Sequence, residues 1–378
     1  MVKRIKLLAI VPTFYPMMGG AERSFYEVYS GLARKGYKIE LITPNSIGAK
    51  RFERIDGINV YRVGPKIKHR VAKFLLYQFF EYLKIRKFAS KHYDIAHVSY
   101  GLPSCFVGYW LKRKYKLPLV VTEHHYGTGG VTSSKENPFF VNLLLAWFYS
   151  RADVLVATGK TQKSFLESLG MHQVKIIPNG VSLTQFHPKF KTPKIKEKYN
   201  CDNLVLTVSR LDKRKNIGDL IKAARYIKTP NTKVIIGGKG PEYENLANLI
   251  KHYRLESKVI LAGFIHNEEL PKYYASADIF ALTSKYEGFG IVFCEALASG
   301  TPVVTYEMEA SKDILMGKDV GIVTKPNPIA LAEAIDTLLG NRKLIESYRK
   351  NAREYARKFS WSSVVSQYDK LFRSIIKN

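Results

Sequence analysis

The sequence predicts an α/β protein of two Rossmann-like domains facing across a cleft, and three observations lead there. Short β-branched runs alternate with amphipathic helical stretches, the pattern of repeated βα units on a parallel sheet. The pattern lapses at residues 186–200, where Lys and Pro replace periodicity, and then restarts. The 378 residues are too many for a typical single domain and suit two, each large enough for its own core. The expected division is a first domain at 1–185, a linker at 186–200 and a second domain at 201–360.

Residues 5–11 read as a buried strand and 37–43 as the next. Between them Phe25, Val28, Tyr29 and Leu32 fall at helical spacing until Gly36 stops the helix. Gly19-Gly20-Ala21-Glu22 makes a glycine turn at this first β-to-α junction, without the full G-x-G-x-x-G fingerprint. Residues 66–91 set Lys66, Lys68, Arg70, Lys73, Lys84, Arg86, Lys87 and Lys91 around Phe74, Tyr77, Phe79, Phe80 and Tyr82. Two readings stand: a helix packed on the sheet with a solvated basic face, or a helix that meets an anionic membrane. Strands follow at 94–99 and 117–122, the second ending at Glu123-His124-His125, where open α/β sheets place ligand-binding groups. Residues 152–158 form a strand, 160–169 a helix and 175–180, KIIPNG, a short strand and turn.

In the second block, a strand at 204–209 leads to Arg210-Leu211-Asp212-Lys213-Arg214-Lys215-Asn216 and a helix from about 217. Arg210 and Lys215, on a loop after a strand, suit the charge of a diphosphate; Lys213 and Arg214 read as solvated neighbours. A strand at 234–240 ends in Gly237-Gly238-Lys239-Gly240, another runs 258–263, and a helix at 270–277 precedes the strand 278–283. Residues 287–305, EGFGIVFCEALASGTPVVT, read as loop, helix, stop and strand. A Gly-Phe-Gly loop entering a helix leaves amide N–H groups pointing outward, a ready site for phosphate. Glu287 precedes that loop, and Glu295 lies in the helix among Phe293, Cys294, Ala296 and Leu297. A carboxylate in so apolar a setting needs a partner such as paired hydroxyls. Residues 361–375 close the chain as an amphipathic helix with Val364, Val365, Tyr368, Leu371 and Phe372 on one face.

Six ordered motifs, GGAE, TEH, PNG, SRLDKRKN, EGFGIVFCE and ASGTPVV, cover nearly the whole chain. Together they resemble the retaining glycosyltransferases of the GT-B fold, in particular glycosyltransferase family 4. The resemblance implies transfer of a sugar from a UDP- or GDP-sugar, with retention at the anomeric carbon. It assigns catalysis to His124, Glu287, Arg210 and Lys215. Donor binding falls by the same resemblance to Gly19, Gly20, Arg210, Lys215, Gly238, Glu287, Gly288, Phe289, Gly290, Ile291 and Glu295, with Glu295 on the ribose. Spacing favours His124 over His125 for the histidine near the donor sugar. The family's final helix crosses back to the first domain, which implies the same for 361–378.

Formal charge is +28 and uneven: residues 1–185 hold 28 Lys and Arg against 11 Asp and Glu. Such a field points to an anionic partner. A nucleotide-sugar donor and a carbohydrate, lipid or lipid-linked acceptor fit it, with peripheral contact to an anionic membrane as one reading. No RNA-recognition, zinc-finger or helix-turn-helix motif is visible, so no nucleic acid is expected. A nucleotide-sugar epimerase or phosphorylase on the same architecture is the alternative enzyme. No Asp-x-Asp occurs, and neither a metal nor a cofactor is expected beyond the nucleotide diphosphate sugar as co-substrate. Cys105, Cys201 and Cys294 are odd in number and widely spaced, and Met1 enters a β-like run directly. A cytoplasmic protein, reaching the membrane at most from its cytoplasmic face, is expected.

Overall fold

A computed structural model describes residues 4–16, 19–45, 48–65, 70–88, 92–99, 104–124 and 139–376. The chain divides into two compact units, residues 1–179 with 361–378, and residues 180–360. Each unit is built on a parallel sheet.

The first unit holds β1 (Lys6–Ile10), β2 (Lys38–Pro44), β3 (Phe52–Ile55), β4 (Ile58–Val63), β5 (Ile95–Ser99), β6 (Leu119–Glu123), β7 (Val154–Ala157) and β8 (Val174–Ile176). They lie in the order β3-β4-β2-β1-β5-β6-β7-β8. All pair in parallel except β3, which runs antiparallel to β4. Leu7, Leu8, Ala9 and Ile10 of the central β1 are wholly buried, as a strand covered on both faces requires. The β3–β4 hairpin was not expected, although its turn, Asp56-Gly57, is a standard hairpin signal. Both residues take positive φ, 44° and 85°, which matches the twist of the flanking strands.

Helix Trp361–Ile376 belongs to this first unit and packs on helix Gly20–Arg34. The approach is close: a Cβ on Gly31 would lie 2.4 Å from Val365 Cγ2. Beneath it runs a buried polar chain. Tyr29 Oη lies 2.9 Å from His97 Nδ1 and 3.3 Å from Ser99 Oγ. His97 Nε2 lies 2.8 Å from Thr122 Oγ1, which is 3.2 Å from Tyr368 Oη. Burial holds His97 neutral, with its pKa pushed down to about 3.

The second unit holds β9 (Asn203–Val208), β10 (Thr232–Gly237), β11 (Val259–Gly263), β12 (Ile279–Leu282), β13 (Val303–Tyr306) and β14 (Gly321–Thr324). Their order is β11-β10-β9-β12-β13-β14, all parallel. The chain winds outward from β9 to β11, then returns to place β12 on the other side of β9. That reversal opens a crevice at the carboxyl ends of β9 and β12.

The 186–200 stretch is not a linker. It forms a 3-10 turn, Pro188–Phe190, and a helix, Pro193–Lys198, inside the second unit, and the division falls between residues 179 and 180. Phe186 is fully buried edge-on to Tyr274, with ring centroids 5.5 Å apart. Ser276 Oγ bonds both the N–H and the carbonyl of Thr192 at 3.0 Å. The prolines that broke the periodicity sit in the first turns of these short helices, where a missing N–H does no harm.

Helix Arg70–Phe88 has a packed side and an exposed one. Tyr77, Glu81 and Ile85 are buried, while Leu76, Phe79 and Leu83 are exposed. Lys66, Lys68, Lys91 and His125 lie outside the described residues. Among the described residues no helix is long and apolar enough to cross a membrane.

The buried His97 links stability to pH. The unfolded imidazole protonates near 6.5 and the folded one near 3, so the unfolded state takes up more protons across that window. Stability contributed by His97 is therefore complete above pH 6.5 and is lost as pH falls. At pH 5 the loss is about 2 kcal/mol. Urea denaturation of wild type and His97→Gln at pH 7.5 and pH 5 should show the gap between them narrowing by about that amount; an unchanged gap would contradict a neutral, buried His97.

Candidate active site

The crevice between β9 and β12 gathers most of the residues singled out in the second block. After β9 the loop makes a 3-10 turn, Lys213–Lys215, in which the Asp212 carboxylate accepts from the Lys215 N–H at 3.3 Å. The loop after β12 is fastened to it: Lys285 N donates to Arg214 O at 2.9 Å, and Thr283 Oγ1 to Asn216 O at 2.9 Å. This pairing turns the Lys215 side chain inward, where Nζ donates to Glu287 Oε1 at 2.5 Å. Both side chains are only 9% exposed. Ser284 Oγ donates to the same oxygen at 2.6 Å, and Arg214 Nη1 approaches Oε2 at 3.4 Å. The Arg214 guanidinium also lies over the Tyr286 ring, 5.5 Å from its centroid. One carboxylate thus faces two cations, and the cluster keeps a net positive charge suited to an anionic group.

Three residues beyond Glu287, Gly290 turns the chain into helix Ile291–Ala298 with φ of +80°. A Cβ there would meet Phe293 Cδ2 at 2.6 Å, so the position suits only glycine on both counts. No side chain caps the helix, which leaves its first amides, starting with Ile291, for a ligand. Gly288 and the buried Phe289 complete the loop, Phe289 packing edge-on to Phe359 at 5.8 Å. Glu295 is buried within the helix and accepts from Tyr274 Oη at 3.0 Å. Burial and the Glu295 charge hold the neighbouring Cys294 thiol well above its usual range, so it stays protonated.

Gly238 supports the crevice from β10. Its φ is +140°, and a Cβ would fall 1.8 Å from Ser209 O, just ahead of Arg210. Arg210 itself is 73% exposed, with its Nε 4.0 Å from Asp212 Oδ2. The structure therefore brings Lys215, Glu287 and the 288–291 loop together but leaves the Arg210 side chain in solvent.

In the first unit, Gly19 caps helix Gly20–Arg34, and Glu22 turns back to accept from Gly19 N at 3.2 Å and from Thr13 Oγ1. His124 follows β6, is buried, and packs edge-on to Phe25 with centroids 4.8 Å apart.

Arg214, read as a solvated neighbour, instead joins Glu287. Its only signal in the sequence was a place beside Lys215. Ser284, three residues ahead of Glu287, and Tyr274, partner of Glu295, were also missed; nothing local marked either one.

Removing one partner of a buried ion pair strands the other. Lys215→Met and Glu287→Ala should each destabilise by about 3 kcal/mol, and the double variant by clearly less than their sum. A urea double-mutant cycle with coupling energy near zero would show that the pair is not formed.

Two family descriptions match the chain in succession: Glycosyltransferase Family 4 over residues 18–185, and Glycosyl transferases group 1 over residues 188–358. The chain is 25% identical to the alpha-monoglucosyldiacylglycerol synthase of Streptococcus pneumoniae, covering 82% of this chain and 73% of that protein. Sucrose-phosphate synthase from Thermosynechococcus elongatus superimposes with a TM-score of 0.85 at 23% identity, over 99% of this chain and 100% of the other. HepE of Anabaena, solved with UDP-glucose, superimposes with a TM-score of 0.77 at 21% identity, over 98% and 100%. With these matches over both units and the carboxylate–cation crevice in the second, the chain belongs to glycosyltransferase family 4 and is a glycosyltransferase of the GT-B fold.

Proposed function

We propose that this glycosyltransferase moves a sugar from a UDP- or GDP-sugar to a carbohydrate, lipid or lipid-linked acceptor, with retention at the anomeric carbon and without a metal ion. The observation that carries this reading is Glu287, held by Lys215, Arg214 and Ser284 beside the uncapped start of helix Ile291–Ala298. As the glycosidic bond breaks, negative charge grows on the departing diphosphate. In this reading Lys215, the solvent-exposed Arg210 and the amides of the 289–291 loop meet it, the work a metal would otherwise do. Glu295 is buried with one oxygen on Tyr274, and takes the ribose hydroxyls in this reading. Glu287 shares its charge with two cations and a hydroxyl, so it is a poor nucleophile. Leaving-group stabilisation then drives the reaction, and the acceptor enters on the face the diphosphate leaves. The family resemblance gives His124 a catalytic role in this reading. The solved Anabaena protein holding UDP-glucose supports a nucleotide-sugar donor.

A lipid acceptor is supported by the name of the Streptococcus pneumoniae relative and by the surface of the first unit. Leu76, Phe79 and Leu83 are exposed along helix Arg70–Phe88, with Lys84 and Arg86 beside them. Phe139, Phe140 and Leu143 are exposed on helix Phe139–Tyr149. Apolar side chains beside cations suit reversible attachment to an anionic bilayer, each cation contributing about 1 kcal/mol. The chain in this reading is cytoplasmic and peripheral.

Donor chemistry is tested by incubating the protein with UDP- and GDP-sugars and following the anomeric proton of the product by NMR; inversion would refute retention. Arg210→Ala or Lys215→Ala should lower turnover by about 3 kcal/mol of barrier with donor saturating. Glu295→Ala should instead weaken nucleotide binding by about 1.5–3 kcal/mol. A chelator should leave wild type unaffected, and strong inhibition would restore a metal to the reaction. For the membrane, sedimentation with phosphatidylglycerol and phosphatidylcholine vesicles should favour the anionic ones at low salt. Replacing Lys84 and Arg86 together should weaken that preference, and no preference at all points to an acceptor met in solution.

A further inference from the structure

At the end of the first sheet opposite His124, the amino ends of β1, β2 and β4 border a cavity of about 680 Å³. Strand register decides which side chains share it. Lys6 of β1 pairs directly with Lys38 of β2; Glu40, two residues on, pairs with Asn59 of β4, which pairs in turn with Arg54 of β3. Paired positions, and positions two apart along a strand, stand on one face of a sheet, so these five share a face. Arg4, just ahead of β1, completes the wall.

Four permanent cations thus line the cavity with one carboxylate, and that carboxylate is engaged. The Tyr93 hydroxyl donates to Glu40, and burial together with this bond holds the hydroxyl well above its ordinary range, so it stays a donor. Asp94 accepts from the Lys6 backbone N–H at 2.8 Å. Among the described residues no ion pair holds Arg4, Lys6, Lys38 or Arg54, and all four are exposed. The end of helix Gly20–Arg34 borders the same cavity, but its carbonyls are already bonded: those of Gly31 and Leu32 to Lys35 N–H, and that of Ala33 to Gly36 N–H. The cations are not needed to cap it.

Like charges directly opposite one another in a sheet are destabilising, and the Lys6 and Lys38 backbones are only about 4.8 Å apart. A local conflict that the fold does not relieve points to a ligand. Its class follows from the cations. A neutral ligand leaves their repulsion in place, and a carboxylate brings a single charge. Linked phosphates bring several charges, with oxygens enough for neighbouring ammonium groups and for the guanidinium fork of an arginine. The cavity has the volume for a molecule of that size.

We propose that this cavity binds a ligand carrying two or more linked phosphate groups. The site is independent of the crevice between β9 and β12 and of the reaction proposed there. The phosphates belong to a soluble molecule or to a lipid headgroup.

Hydrogen–deuterium exchange tests this, because it reads the cavity separately from the crevice. Inorganic tripolyphosphate should slow exchange of the wild-type protein in residues 35–38, 54–59 and 92–94. The concentration that gives half of this protection should rise at least about tenfold in the triple variant Lys6→Gln/Lys38→Gln/Arg54→Gln. It should stay within about threefold in Lys228→Gln/Lys251→Gln/Lys343→Gln, which removes the same charge from exposed positions of the second unit. With the repulsion gone, the first triple variant should keep or exceed the wild-type Tm. If it does not, Lys38→Gln alone decides, with a smaller loss of affinity in the same direction. Farnesyl diphosphate in phosphatidylcholine vesicles separates the sources: protection by tripolyphosphate supports a soluble ligand, and protection by the vesicles alone a lipid headgroup. Protection by neither overturns the proposal, as does equal weakening in both triple variants. Protection by a short RNA alone overturns it too, in favour of a nucleic-acid surface.

Discussion

Lys215 and Glu287 stand 72 residues apart in the chain and meet at 2.5 Å in a place that water barely reaches. An ion pair taken out of water persists only when its remaining hydrogen-bonding capacity is met. Ser284 and Arg214 meet it here, and the two loops are themselves joined through Lys285 to Arg214 and Thr283 to Asn216. Everything else in the crevice depends on this knot. It sets where Gly288 and Phe289 leave the sheet, and so where Gly290 opens its helix. With two cations on one carboxylate, it leaves the crevice a net positive charge.

The sheet order explains why the knot falls there. A parallel sheet wound outward in both directions must place two non-consecutive strands side by side, and the loops leaving their carboxyl ends diverge. In the second unit those strands are β9 and β12, which carry the basic loop and the loop of Glu287. Gly238 lets β10's loop press against Ser209 O, supporting the basic loop from behind. The first unit follows the same rule between β1 and β5, where the Gly19-Gly20 turn leaves β1.

The two units secure themselves differently. The second ties its entering segment down through Phe186, Thr192 and Arg353, whose guanidinium donates to the carbonyls of Leu183, Phe186 and Ala298. The first draws in the end of the chain, and Tyr368 joins the hydroxyl and imidazole chain beneath helix Gly20–Arg34. A neutral His97 at the centre of that chain specifies one arrangement of three elements, since each of its neighbours needs a particular partner.

The sequence by itself determined what depends on near neighbours. Strand and helix periods, the glycine turns, and the loop-to-helix entry at 288–291 are local, because backbone sterics and side-chain alternation act over a few residues. Glu287 and Glu295 stood out for the same reason, as carboxylates framing a glycine loop. Tertiary structure decided the rest. Prolines made 186–200 look like a linker, and only contacts to Tyr274 and Ser276 show it to be part of a core. Arg214 and Lys215 are adjacent and chemically alike, and which of them is buried depends on a carboxylate 72 residues beyond Lys215. Tyr274 reaches Glu295 across a helix–helix contact that no period announces. Partners brought together by strand order are invisible in the chain, because order in the sheet is not order in the sequence.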